Sequence, residues 1–206
     1  MRTAARVAVG DGTVVALGGH AATSPALSVP TVRLSGNVSE GMLARLLDGI
    51  AATREGSAPF VLELTTPGGD ADVARRMALE IRLLREIDGK DAWFFGKTFV
   101  YSAGVTVMGA FPVERRVLST DSVLLLHERR LEKQLHLSGA LRASLAQVRD
   151  VLAELESGQR LERDTFADLV RGSDLTLDDL MHKVAEANWY VSAHEARALR
   201  LVGHVV

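Results

Sequence analysis

The sequence predicts an α/β fold built around a largely parallel sheet. Short apolar runs typical of buried strands alternate with stretches whose apolar residues recur at helical spacing, from Thr31 to His127. With 206 residues, the chain is long enough for one domain with a substantial core. In such sheets, binding and catalytic sites form in the loops that follow the carboxyl ends of the strands.

Residue types and their spacing predict each strand and helix of this region. Strand runs are rich in Val, Leu and Phe, and helices carry apolar residues three and four positions apart. Ser39 is a suitable N-cap for the first helix. The predicted elements are a strand at 31–36, a helix at about 40–50, a strand at 60–64, a helix that includes 73–84, a strand at 92–95, a small-residue helix at 102–111, and strands at 116–118 and 123–126.

The two ends of the chain differ from this alternating region. Residues 1–30 are rich in Gly, Ala, Ser and Thr and are predicted to form an N-terminal arm, with a hairpin around Asp11-Gly12. A long helix is predicted to begin at Ser138 and to break or bend at Gly158. Its narrow apolar stripe is suited to packing on another helix or subunit. The stripe consists of Leu141, Leu145, Val148, Leu152 and Leu155. A shorter helix over 178–188 and a strand–helix–strand ending follow.

Composition excludes several classes of function. The 24 basic and 26 acidic residues give no basic field for nucleic acid or membrane surfaces. The chain has no Cys, which excludes disulfides, thiol nucleophiles and Cys-ligated metals. No apolar run approaches the ~18 residues of a membrane span, and the histidines lack metal-ligand spacing. We therefore expect a soluble cytoplasmic protein without a metal or cofactor.

Three features that follow predicted strands point to one chemistry. They are the turn Thr66-Pro67-Gly68-Gly69, Ser102 and His127. A serine can act as nucleophile, an imidazole as its general base, and a glycine turn can offer backbone N–H groups to an oxyanion. A serine beside small residues is usually a packing residue, and a glycine turn is usually only a turn. Their order and shared placement favour the catalytic interpretation.

The same residues resemble the proteolytic subunit of the Clp protease. That family has Ser-Pro-Gly-Gly, then Ser-Met-Gly-Ala, then Met-Ile-His, where this chain has Thr-Pro-Gly-Gly, Ser-Ala-Gly and Leu-Leu-His. The ending from Tyr190 to Val205 is also similar, and the resemblance covers residues 31–206. The resemblance implies a spiral of β-α-β units, a fold that crotonases share. It also implies that residues 31–206 form a peptidase domain, with a helical handle at about 132–175.

Carried over position by position, the resemblance implies a serine peptidase site. Ser102 would be the nucleophile and His127 the base, while Gly69 and Ala103 would supply the oxyanion-hole N–H groups. The third catalytic position, an Asp in the family, is Asn188 here. The resemblance further implies a homo-oligomeric ring that encloses peptide or unfolded protein substrates, with an AAA+ unfoldase as a further partner.

Two other functions stay open on the sequence. Asn188 and the unusual residues 1–30 suit a weak or inactive paralogue that acts as an assembly partner. A crotonase-type acyl-CoA enzyme would need acidic residues near the glycine turn, where Asp70 and Asp72 are present. Asn188 is interpreted either as a direct contact of His127 or as a helix cap. A Ser-Lys dyad through Lys97 is a weaker alternative.

Overall fold

A computed structural model describes residues 29–206, and its elements follow the alternating order predicted from the sequence. The predicted arm therefore lies outside the described residues, except for residues 29 and 30. The strands are β1 Val32–Ser35, β2 Phe60–Thr66, β3 Ala92–Tyr101, β4 Arg116–Leu118, β5 Val123–Leu126, β6 Trp189–Ser192 and β7 His204–Val205. The helices are α1 Glu40–Glu55, α2 Ala71–Glu86, α3 Ala103–Gly109, α4 Leu141–Val170, α5 Leu177–Glu186 and α6 Ala193–Ala198.

The sheet is parallel apart from one pair and branches at β3. The strands β1, β2 and β3 lie side by side, and the first half of β3 continues to β4 and β7. The second half of β3 pairs instead with β5, and β5 pairs with β6 in antiparallel orientation. The branch directs the end of β3, the end of β5 and the start of β6 to one region.

Thr98 lies between the two halves of β3, at a β-bulge. Its φ is 58°, and the register with β2 shifts between Leu64 and Thr66. A bulge of this kind bends a strand and increases its twist. The sequence predicted only residues 92–95 as strand, because Gly96 and Lys97 interrupt the apolar run. The structure instead extends the strand through Tyr101 to the residue before Ser102.

The helices α1 and α2 are capped where the sequence provides short polar side chains. The Ser39 side chain accepts a hydrogen bond from Met42 N–H, as predicted, and Asp70 accepts from Asp72 and Val73 N–H at the start of α2. Both helices bury one apolar face in the main core, including Leu46, Ile50, Met77 and Ile81. Because the glycine turn joins β2 to α2, this packing also fixes the position of the turn.

The buried side chain of Arg116 in β4 holds the end of α4 against the sheet. Its guanidinium donates to Leu169 O at 2.7 Å, to Leu201 O at 3.0 Å and to Phe111 O at 2.7 Å. Desolvation lowers the pKa of Arg116 to about 10. A buried charge requires such partners, because an unpaired one costs several kcal/mol, on the order of 3–5. The carboxyl-terminal turn of α4 is thereby fixed relative to β4.

The helix α4 begins later than the sequence predicts and runs through Gly158. Its first residue is Leu141, with Ala140 as N-cap, so Ser138 lies in the preceding irregular segment. Only Phe166 and Leu169 are buried, whereas the five residues of the predicted stripe are 41–87 % exposed. The amino-terminal two thirds of α4 therefore project from the domain with an apolar stripe uncovered.

Two further features of the described part of the chain bear on function. None of the helices in residues 29–206 has the length and apolarity to cross a membrane. In the same residues, no group of three His, Cys, Asp or Glu side chains is arranged to hold a metal ion.

Candidate active site

The glycine turn after β2 is held in place by a backbone bridge to Val38. Val38 N–H donates to Gly68 O at 2.8 Å, and Asp70 N–H donates to Val38 O at 3.0 Å. The intervening N–H of Gly69 takes no part in this bridge. Gly68 and Gly69 have φ values of 107° and 142°, which side-chain-bearing residues rarely adopt. A Cβ on Gly69 would lie 2.4 Å from Val38 O, so the close approach requires glycine.

Ser102 lies at the junction of β3 and α3 in a strained conformation. Its φ and ψ are 52° and −114°, although it is not glycine, and its N–H is fixed by Leu125 O at 2.8 Å. Such backbone strain costs on the order of 1–3 kcal/mol and clusters at functional sites. The Ser102 side chain does not cap α3. Gly68 packs against it so closely that a Cβ there would lie 3.4 Å from Ser102 Oγ.

His127 follows β5 directly, and its ring has a defined tautomer. Nδ1 lies 2.6 Å from Glu128 O. Because a carbonyl oxygen can only accept, Nδ1 carries the proton in this contact, and in the neutral ring Nε2 then presents a lone pair. A histidine in this tautomer can take a proton from a hydroxyl through Nε2.

Ser102, His127, Gly69 and Ala103 all line one cavity of about 400 Å³. The structure therefore brings together the four residues selected from the sequence, although Ser102 and His127 are not hydrogen-bonded to each other. Ala103 is the first residue of α3, so its N–H has no intrahelical acceptor. The apolar part of the cavity wall comes from α3, β5 and α4. It consists of Val105, Leu126, Leu161, Phe166 and Leu169.

Asn188 lies outside the cavity wall and binds an arginine. In the antiparallel pair of β5 and β6, Leu126 is opposite Trp189. The backbones of His127, which follows β5, and Asn188, which precedes β6, are therefore neighbours at this end of the sheet. The Asn188 Oδ1 accepts a hydrogen bond from Arg130 at 3.1 Å, not from His127. The sequence placed Asn188 at the end of a helix over 178–188, whereas α5 ends at Glu186 and Asn188 directly precedes β6.

Two charged residues that the sequence did not single out, Arg129 and Glu162, line the cavity together with Asp72. Arg129 makes a two-point contact with Asp72, at 3.1 and 2.9 Å, and its backbone N–H donates to Glu162 Oε1 at 2.8 Å. The hydrogen bond from Arg129 lowers the pKa of Asp72, and burial raises the pKa of Glu162. Arg129 could have been noticed from its position two residues after His127. Glu162 has no local signal, because only the fold brings α4 to β5.

The residues that a crotonase-type site or a Ser-Lys dyad would use are bound to other groups in the structure. Asp70 caps α2, and Asp72 binds Arg129 and Arg75. Lys97, considered for a Ser-Lys dyad, pairs with Glu63 at 2.8 Å.

Comparison with known proteins identifies the fold. No family model and no curated protein matches the sequence. Among solved structures, the chain is similar to ClpP1 from Listeria monocytogenes in a variant with one asparagine replaced by aspartate. The TM-score is 0.69 at 14 % sequence identity, and the alignment covers 87 % of this chain and 92 % of that chain. The protein therefore has a ClpP-like α/β fold, as its sequence motifs predicted.

Proposed function

We propose that this protein is a serine peptidase with Ser102 as nucleophile. The observation that carries the proposal is the strained Ser102 in one cavity with His127 and the glycine turn. In the proposed reaction, Ser102 Oγ attacks a peptide carbonyl while His127 Nε2 accepts its proton. The Gly69 and Ala103 N–H groups stabilise the tetrahedral oxyanion, and His127 then protonates the leaving amine.

The surroundings of Ser102 favour an acyl group with an apolar side chain. Five apolar residues of α3, β5 and α4 form one wall of the cavity next to the nucleophile. Such a wall suits a peptide or an unfolded protein, whose apolar side chains are accessible. The proposed chemistry needs no metal or cofactor, because a hydroxyl and an imidazole carry out the proton transfers and backbone N–H groups bind the oxyanion.

We also propose that the active protein is a homo-oligomer that encloses the cavity. The support is the uncovered stripe of α4, in which Leu145 is 50 % and Leu152 is 52 % exposed. A second copy of α4 would bury both stripes. Such a chamber would exclude folded proteins, which is why an AAA+ unfoldase stays a predicted partner.

The alternative is a weakly active paralogue, and one observation favours it. Asn188 offers no negative charge and its amide oxygen is engaged by Arg130, so it gives the imidazolium little support. A crotonase-type enzyme has less support, because Asp70 and Asp72, the acids it would use, have structural partners.

Labelling with a fluorophosphonate probe tests the proposed function. We expect the wild-type protein to be labelled, Ser102→Ala to be unlabelled, and His127→Ala to be labelled much more slowly. Ser138→Ala, which changes an exposed serine, serves as the matched control and should label like the wild type. Wild-type-like labelling of a folded Ser102→Ala protein, shown by circular dichroism, would refute the assignment. An unlabelled wild type would favour the inactive paralogue.

A further inference from the structure

We infer that Glu162 of α4 is a positioning residue that supplies the negative charge for His127 that Asn188 cannot provide. The inference rests on the proposed function, in which His127 becomes an imidazolium during acylation. In a serine triad, the third group both fixes the tautomer of the histidine and stabilises its positive charge. In this chain the two tasks fall to different groups.

The tautomer is fixed by the backbone of the next residue. The Glu128 carbonyl accepts from His127 Nδ1 at 2.6 Å, which leaves Nε2 as the acceptor. A neutral carbonyl performs this task without a carboxylate. The charge must therefore come from another group near the ring.

Glu162 is the carboxylate that the geometry places for this task. It lines the same cavity as His127 and Ser102, and Arg129 N–H holds its Oε1 at 2.8 Å, two residues after His127. Within residues 29–206, Glu162 forms no ion pair with a lysine or arginine side chain. Its charge is thus positioned by a backbone N–H and is not neutralised by a guanidinium in direct contact.

The other charges around the cavity are already balanced or lie on other partners. Asp72 pairs with Arg129 and Arg75, while Asp70 caps α2. The Arg130 side chain binds Asn188. Glu128, the remaining acid near Glu162, is exposed and reaches His127 through its backbone carbonyl.

The partial burial of Glu162 makes its charge effective. Burial raises the pKa of Glu162, and the nearby Glu128 charge raises it further, while the Arg129 N–H, His127 and the Arg129 charge lower it. Charges interact more strongly where water is partly excluded than on the open surface. A developing imidazolium and this carboxylate therefore stabilise each other.

The decisive variant is Glu162→Gln, which keeps the Oε1 acceptor for Arg129 N–H and removes only the charge. We expect acylation by the fluorophosphonate probe to slow about 10-fold or more. The loss should stay below the ~10⁴-fold seen when a triad loses its acid and its tautomer, because the Glu128 carbonyl still fixes the ring. The pH midpoint of the labelling profile should move to lower pH, since the imidazolium loses a stabilising charge.

Two controls separate a charge effect from a structural one. Glu156→Gln makes the same change at an exposed site on the same helix and should leave rate and pH midpoint unaltered. Glu162→Asp keeps the charge and should restore part of the rate. An unchanged rate and pH midpoint in folded Glu162→Gln protein would overturn the inference.

A readout without activity keeps this test independent of the proposed function. In a Ser102→Ala background, NMR of the His127 ring should show its titration midpoint moving to lower pH on Glu162→Gln. If this shift occurs but the wild-type protein is never labelled by the probe, the serine peptidase proposal fails and the electrostatic coupling stands. If the wild type is labelled but the midpoint does not move, only the role of Glu162 fails.

Discussion

Replacing Gly69 by alanine should remove activity without unfolding the protein. The residue has φ 142°, and a Cβ there would lie 2.4 Å from Val38 O and 2.7 Å from Val38 N. Both contacts are to backbone, so no side chain can rotate away to relieve them. The turn and its Gly69 N–H must shift relative to Ser102.

The magnitudes follow from these contacts. Adopting this φ with a side chain costs on the order of 1–3 kcal/mol. For a chain of this size, each kcal/mol lowers Tm by about 2–4 °C, so about 1–3 kcal/mol corresponds to a loss of roughly 2–12 °C. Loss of one oxyanion-hole donor costs about 10²–10³-fold in rate. We therefore expect Gly69→Ala to be folded at 25 °C and acylated at least about 100-fold more slowly.

The assay is the rate of fluorophosphonate labelling at 25 °C, with Tm measured by circular dichroism. Gly89→Ala is the matched control, because Gly89 also has a positive φ, of 65°, but open space surrounds its Cβ position. It should lower Tm modestly and leave labelling unchanged. If folded Gly69→Ala protein is labelled at the wild-type rate, Gly69 N–H does not bind the oxyanion and the reasoning fails.

Three further predictions concern the third catalytic position, the assembly and the cavity rim. Asn188→Asp should speed acylation by adding a charge beside His127; an unchanged rate in the folded variant would show that position 188 takes no part. Changing Leu145 and Leu152 to Glu should convert the oligomer to smaller species in analytical ultracentrifugation, and a monomeric wild type at micromolar concentration would contradict the proposed ring. The hydrogen bond from Arg129 lowers the pKa of Asp72 from its ordinary value of 3.8. Their exposed ion pair, worth ~0.2–1 kcal/mol, therefore stabilises the folded protein at pH values above 3.8. This contribution is lost as the pH falls through the lowered pKa. The destabilisation that Asp72→Asn causes in thermal melts at pH 7 should therefore shrink as the pH falls below 3.8; a deficit that does not change with pH would show a packing effect and not a charge effect.

Much of the fold could be predicted because it depends on local residue patterns. Alternating apolar runs and helical spacing predicted the α/β order, and Ser39 marked the start of α1 because its side chain caps the neighbouring N–H. The predictions were wrong where a distant contact extends an element or where a local break signal is too weak to end it. The strand β3 continues past Gly96 because β5 pairs with its second half. The helix α4 continues through Gly158 because one glycine costs a long helix only about 1 kcal/mol.

Ser102, His127 and the glycine turn could be predicted from the sequence because each follows a strand and parallel strands end at one edge of a sheet, whereas Gly69 and Ala103 as N–H donors were implied only by the family resemblance. Their common cavity, the strain at Ser102 and the tautomer of His127 depend on the tertiary structure. The hydrogen bond between Arg130 and Asn188 and the ion pair between Arg129 and Asp72 also depend on the tertiary structure. Glu162 is the clearest case. It lies far from His127 along the chain, and the packing of α4, held by buried Arg116, brings its carboxylate to the site. Sequence spacing determines which residues follow strands, whereas electrostatics depends on distances between elements, and those are set only when the helices pack on the sheet.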